Sequence, residues 1–157
     1  MTAAAPSGRT AQEREVLALV AGSDGASLDA VLELVVAALQ SRFPRYTGVY
    51  VYWLAGSDTL ELRAFRGRST EHVRIPVGQG ICGRAAREKR TVLVDDVNAD
   101  PAYLACSLET RSEIVVPIMR GATVLGEIDI DSDVPAAFTR DDSAFLEKLA
   151  ALIGVWG

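Results

Sequence analysis

Apolar residues recur along this chain with two different periods, and the changes of period mark its elements. Helical spacing comes first. Thr10 and Glu13 form a capping-box pattern ahead of "VLALVA", with Gly22 as the stop, so a first helix is predicted from about Thr10 to Ala21. Ser27 offers the cap for a second helix, in which Leu28, Val31, Leu32, Val35 and Leu39 keep one apolar face until Pro44 ends it. The period then drops to two. "YTGVYVYWLA" and "TLELRAFRG", joined by the turn "GSD", read as a hairpin of β-branched and aromatic residues. "HVRIPVGQG" is a short extended piece closed by glycines, "ICGRAAREK" a short helix, and "TVLVDDV" another strand. After a long aperiodic stretch, "EIVVPIM" and "TVLGEIDID" form a second hairpin around "RGA", and Thr139 with Asp142 caps a last amphipathic helix through Leu149 and Ile153.

Strands and helices do not alternate strictly, which excludes a wound parallel sheet. The order predicts an α+β fold with a central antiparallel sheet and the N- and C-terminal helices packed on one face. The chain has 157 residues, which predicts a single domain over residues 10–157 behind a flexible tail at residues 1–9.

Composition narrows the function. A hydrophobic fraction of 49% supports one real core and rules out whole-chain disorder. The formal charge of −5 and a pI near 4.9 argue against a nucleic-acid or anionic-membrane partner. The longest apolar run, "VLELVVAALQ", is interrupted by Glu33 and is too short to span a bilayer. The first residues lack the pattern of a secretory signal, so a cytoplasmic location is expected. There a cysteine is more often catalytic, redox-active or simply buried than half of a structural staple. One His and two Cys do not make a structural zinc site of four such ligands.

Four features carry candidate chemistry. Cys106 sits in "YLACSLETRS", which has neither helical nor strand period; loops of that length are often functional, although most free cysteines are buried hydrophobes. Cys82 lies in "VGQGICGRA", where packing of small residues competes with thiol stabilisation at a helix start. Gly78, Gly80 and Gly83 match the dinucleotide fingerprint in form only, because no βαβ unit surrounds them. In "GEIDIDSD", alternation puts Glu127, Asp129 and Asp131 on one strand face and Ile128 and Ile130 on the other. A calcium loop starting at Asp129 fails, since Val134 and Arg140 stand where Gly and Glu are needed. The second hairpin brings Glu113 toward Asp129 and Asp131, and the Cys106 loop leads straight into Glu113. Such a cluster suits a cationic amino group or a carboxylic acid kept protonated by its neighbours. It disfavours a thiolate. Tyr46 and Tyr50, four apart, are expected on the same strand face, either in the core or walling a pocket; His72 is expected to be an exposed strand residue.

With those residues in view, the chain resembles the GAF-domain free methionine-(R)-sulfoxide reductases. The matching stretches are "VRIPVGQGICGRA", "VDDV", "YLACSLETRSEIVVPI", "VLGEIDIDS" and "FTRDD", in the family's order and with its 24-residue separation of Cys82 from Cys106. The resemblance implies a GAF fold and an enzyme that needs no cofactor or metal. It implies reduction of free L-methionine-(R)-sulfoxide through a cysteine sulfenic acid and a disulfide, recycled by a thioredoxin-like reductant. Cys106 matches the attacking cysteine and Cys82 one that resolves it. Glu113, Asp129 and Asp131 match the carboxylates that bind the substrate and supply the proton. Tyr50 matches a pocket-wall tyrosine, and Tyr46 stands where the family usually has Trp. His72 occupies the place of a third cysteine common in the family, which leaves the resolving thiol open. A GAF ligand sensor without chemistry is the other reading, and self-association as a homodimer is left open.

Overall fold

The computed structural model describes residues 8–101, 103 and 108–156. Two helices open it, α1 over Gly8–Ala21 and α2 over Leu28–Arg42. Helix α2 is capped as expected: the Ser27 hydroxyl accepts the Ala30 N–H at 3.2 Å, and the helix ends at Phe43, just before Pro44. Helix α1 begins two residues earlier than its capping pattern implied. Thr10 and Glu13 lie inside it, and Glu13 pairs with Arg9 one turn back at 3.0 Å. The expected tail therefore loses Gly8 and Arg9 to the helix, while residues 1–7 lie outside the described residues.

Six strands form one sheet in the order β3-β2-β1-β6-β5-β4, with antiparallel pairing throughout. They are β1 (Gly48–Ala55), β2 (Thr59–Gly67), β3 (Arg74–Pro76), β4 (Val92–Val94), β5 (Ser112–Arg120) and β6 (Thr123–Ser132). Helix α3 (Gly80–Glu88) joins β3 to β4, and α4 (Arg140–Ile153) closes the chain. Both predicted hairpins are present. Strand β3 is an antiparallel edge strand, so the glycines after it do not open a dinucleotide-binding unit. Strand β4 is shorter than "TVLVDDV" suggested. Asp96 leaves the sheet to cap a 3-10 turn at Val97–Ala99, its carboxylate accepting the Asn98 N–H at 3.0 Å.

The strand period splits the interior in two. Val49, Val51, Ile114, Val116, Ile128 and Ile130 face α1, α2 and α4 and form the larger core. Tyr50, Tyr52, Leu60, Val115, Val92 and Val94 face α3 and form a smaller one with Ile81, Cys82 and Ala85. The terminal helices thus share one face, as the pattern predicted, and α3 has the other to itself.

Tyr46 is a correction. Its N–H closes a turn onto the Phe43 carbonyl at 3.0 Å, before β1 begins, so strand alternation does not reach it. Its ring packs in the larger core, 4.8 Å from Phe43 and 5.6 Å from Phe138, and shares no face with Tyr50. Its hydroxyl donates to Asp142 Oδ1 at 2.5 Å. The same carboxylate binds Arg9 and, through Oδ2, the Thr139 N–H at 2.8 Å in the predicted capping box. Burial opposes ionisation of Asp142, but these donors outweigh it and hold its pKa below the usual value. Asp142 thereby ties α1, the entry to β1 and α4 together. Tyr46→Phe is expected to lower stability by about 1.5 kcal/mol in urea denaturation, as for a lost hydrogen bond to a charged group. It should leave the affinity of any ligand bound on the α3 face unchanged.

Candidate active site

The site grows out of β6. Glu127, Asp129 and Asp131 point toward α3 and are buried, while Ile128 and Ile130 point into the larger core. The hairpin register then sets Glu113 directly opposite Asp131, and Val115 opposite Asp129. Glu113, Asp129 and Asp131 bring carboxylate oxygens within 4.8 Å of one another. This is the convergence predicted from the second hairpin, and oxygens this close suit a cationic guest.

Helix α3 covers the cluster with a thiol. Cys82 Sγ donates to Asp129 Oδ2 at 3.2 Å, and the cysteine is buried. Its position depends on the glycines around it. A Cβ on Gly83 would come within 2.6 Å of the Pro76 carbonyl oxygen and 2.8 Å of the Gly78 nitrogen, so only glycine lets α3 lie this close to the turn before it. Gly78 and Gly80 have φ of +94° and +66°, which the turn into the helix requires. The stretch "VGQGICG" is therefore a turn and a close approach that aim one sulfur at one carboxylate.

Electrostatics follow from burial. Burial, then Asp129 and Asp131, push Glu113 well above the usual carboxyl range. Asp129 is raised in the same way by burial and Asp131, although Cys82 and Glu113 donate to it. Asp131 is pushed up to about 6: burial raises it, and Glu113, Arg68 and His72 hold the rise in check. The Cys82 thiol is raised by burial and then by Asp129, Glu127 and Glu113, so it stays protonated near neutral pH. Apart from Asp131, these groups favour their protonated forms. The site can bind a cation at Asp131 and donate a proton from a neutral carboxyl beside it.

Tyr50 lies on the site face, next to Asp129 in the β1–β6 register. Its hydroxyl turns to the rim and donates to the Arg68 carbonyl at 2.6 Å, over Gly48, where a Cβ would sit 2.4 Å from that oxygen. Arg68 grips both oxygens of Asp133 at 2.9 Å and pairs with Glu109 at 2.6 Å. His72 is not an exposed strand residue: it precedes β3, is half-buried, and lines a cavity of about 20 Å³ with Tyr52, Cys82, Glu113 and Asp129. That volume accommodates about one water molecule. Tyr52 went unnoticed in the sequence, although alternation from Tyr50 points to it; its hydroxyl donates to the His72 carbonyl at 2.7 Å. Cys106 lies outside the described residues. Before it in sequence, Asp100 pairs with Arg84 of α3 at 2.8 Å; after it, Glu109 reaches Arg68.

The GAF-domain family matches residues 12–155 of this sequence. The chain belongs to the GAF-domain family. Over 109 residues this GAF domain is 45% identical to the free methionine-R-sulfoxide reductase of Saccharomyces cerevisiae, covering 69% of this chain and 60% of that protein. It is 38% identical over 100 residues to the Escherichia coli reductase of the same name, covering 64% of this chain and 60% of that protein. The aligned stretch thus spans 60% of the length of each of these relatives. A solved structure of the Neisseria meningitidis free methionine-R-sulfoxide reductase in complex with its substrate superposes with a TM-score of 0.87. The two chains are 33% identical, over 99% of this chain and 93% of that one. The type II enzyme of Thermoplasma acidophilum gives a TM-score of 0.79 at 39% identity, over 82% of this chain and 91% of that one. Within the GAF domains, this chain is a member of the free methionine-R-sulfoxide reductase family. No helix among the described residues is long and apolar enough to cross a membrane.

The raised carboxyls set the pH dependence of stability. Glu113, Glu127, Asp129 and Asp131 bind protons more tightly folded than unfolded. Their contribution is fully present below the unfolded pKa near 4 and is lost as pH rises through the folded values. Asp133 and Asp142 are shifted the other way, and their contribution is already complete above about pH 5. The ligand-free protein is therefore expected to be more stable at pH 5 than at pH 7 in chemical denaturation, and Asp131→Asn should flatten that slope.

Proposed function

We propose that this GAF domain reduces free L-methionine-(R)-sulfoxide to L-methionine, using electrons from a thioredoxin-like dithiol. The observation that carries the reading is the buried trio Glu113, Asp129 and Asp131 beside a protonated thiol, set in a chain whose relatives bear that enzyme's name. Asp131, with a pKa of about 6, is ionised at neutral pH and pairs with the substrate ammonium. Glu113 or Asp129, raised further, keeps a proton for the sulfoxide oxygen. The cavity of about 20 Å³ is smaller than an amino acid, so its walls part on binding.

Cys106 is assigned the attack. Its sulfur takes the oxygen from the sulfoxide, so the substrate sulfur is reduced by two electrons and Cys106 becomes a sulfenic acid. Cys82 then attacks Cys106, the S–O bond breaks, water leaves, and a disulfide forms that the external dithiol reduces. His72 stands at the position of the family's third cysteine and lines the same cavity as Cys82, which favours Cys82 as the resolving thiol. Such a cycle requires a reducing compartment, and we place the protein in the cytoplasm.

The test is turnover of the two sulfoxide epimers with a thioredoxin system. Cys106→Ser should abolish reduction. Glu113→Gln or Asp129→Asn should each cost roughly 10²-fold in kcat/KM, as for removal of a general acid, with the protein still folded. N-acetyl methionine sulfoxide should be a poor substrate, since it cannot form the charge-assisted contacts worth roughly 1.5–3 kcal/mol each. Cys82→Ser should complete one stoichiometric turnover and leave a dimedone-reactive sulfenic acid on Cys106, read by intact mass. Ligand binding without turnover of either epimer would favour the sensor reading.

A further inference from the structure

One buried acid is unused by that chemistry. Glu127 is fully buried at 0% exposure, on the same face of β6 as Asp129. Neither of its carboxyl oxygens completes a well-formed hydrogen bond among the described residues, and the donor that faces it is the Cys82 thiol. Its strand neighbours are Tyr52 on β1 and Pro117 on β5, and Asp129, next along the same face of β6, holds the Cys82 thiol of α3 at 3.2 Å. Leaving both oxygens unsatisfied in a packed interior is costly, and a methionine or leucine would fill the space without that cost. The trio that suits the substrate does not include it. The sulfur that it adjoins is the one that must lose a proton.

We propose that Glu127 is a positioning residue for Cys82: its buried carboxyl group and the thiol hold protons as one pair, and Glu127 governs when the sulfur can act. The other titratable groups facing this pair are Asp129 on β6, Glu113 on β5, Tyr52 on β1 and His72 before β3, while β4 contributes only Val92 and Val94. The coupling runs both ways. Glu127 carboxylate disfavours a second negative charge on Cys82, and the neutral thiol favours ionisation of Glu127 against burial and Asp129. Cys82 is thereby kept as an unreactive thiol beside a carboxyl group that can relay its proton. When its sulfur bonds to Cys106 and the S–O bond breaks, Cys82 is oxidised and Cys106 reduced. Glu127 gives its proton to the departing hydroxide, which leaves as water, and takes the thiol proton in its place. The pair ends the step with the charge it had at the start. This resolving step rests on the function proposed above; the proton coupling itself does not.

The test reads the thiol directly. With Cys106→Ser and cysteine labelled with ¹³C at Cβ, the protein has one labelled thiol, Cys82, whose titration is followed by NMR. Glu127→Gln in that background is expected to move the midpoint down by at least one pH unit, which means tenfold more thiolate below both midpoints. Glu127→Asp, which restores a carboxyl group, should keep the midpoint close to the parent's. An unmoved midpoint in Glu127→Gln, or an equal fall in Glu127→Asp, would overturn the proposal. If Glu127→Gln does not fold, the reciprocal measurement decides: Cys82→Ala should raise the pH at which the ¹³C-labelled Glu127 carboxyl titrates, and no change would refute the coupling. Absence of sulfoxide turnover in the unmodified protein would sink the reductase reading, while the titration would still decide for or against the pair.

Discussion

Everything at the site depends on the two-residue period of β6 at the centre of the sheet. That strand is hydrogen-bonded on both sides, to β1 and β5, and so has no freedom to slide. Its isoleucines complete the larger core while its acids line the smaller one. A slip of one residue would drive Glu127, Asp129 and Asp131 among Val49, Val51 and Phe145 and turn Ile128 and Ile130 toward α3. The cost of burying charge in that core excludes such a slip. The residues that are hardest to bury are thus also the ones that fix the strand pairing.

The smaller core tolerates its acids because it does not force them to be charged. Burial raises their pKa values, so most of the cluster is neutral and shares protons with a thiol. What the fold must supply is proximity. It does so with glycine: Gly83 brings α3 down onto the turn after β3, and Gly48 leaves room for the Tyr50 hydroxyl. The larger core makes the opposite choice, keeping one ionised carboxylate, Asp142, surrounded by Tyr46, Arg9 and the Thr139 N–H. Two buried-acid designs therefore coexist on opposite faces of one sheet, one for fixing geometry and one for moving protons.

Much of this was legible in the sequence because its signals are local. The Ser27 cap, the Thr139–Asp142 capping box and β2 from Thr59 to Gly67 appear where their patterns put them. The carboxylate trio was legible for the same reason: alternation within β6 and one short hairpin suffice to bring it together. Misreadings arose where a non-local contact or a turn took over. Helix α1 starts early, where Arg9 reaches Asp142 at the other end of the chain. Tyr46 fell outside the alternation because the turn from Phe43 ends only there. The pattern around His72 predicts a strand residue, yet it sits in a connection drawn inward by the Tyr52 hydroxyl. Glu127 was visible on its face, but the hairpin that recruits Glu113 gave it no partner; Cys82 reaches it only once α3 is packed.

The pairing of β1 with β6 has a consequence for how the molecule comes into being. The two central strands are the first and the last of the sheet in chain order, with residues 56–122 between them. Contacts of that sequence separation are slow to form, and during synthesis β1 must wait until β6 has left the ribosome. Until then Cys82 has no Asp129 beside it and no completed sheet beneath it. The nascent chain thus carries an ordinary solvent-exposed thiol, open to oxidants that the finished fold keeps out. Its vulnerable period lasts until β6 has been made and paired, and is set by nothing at the mature site.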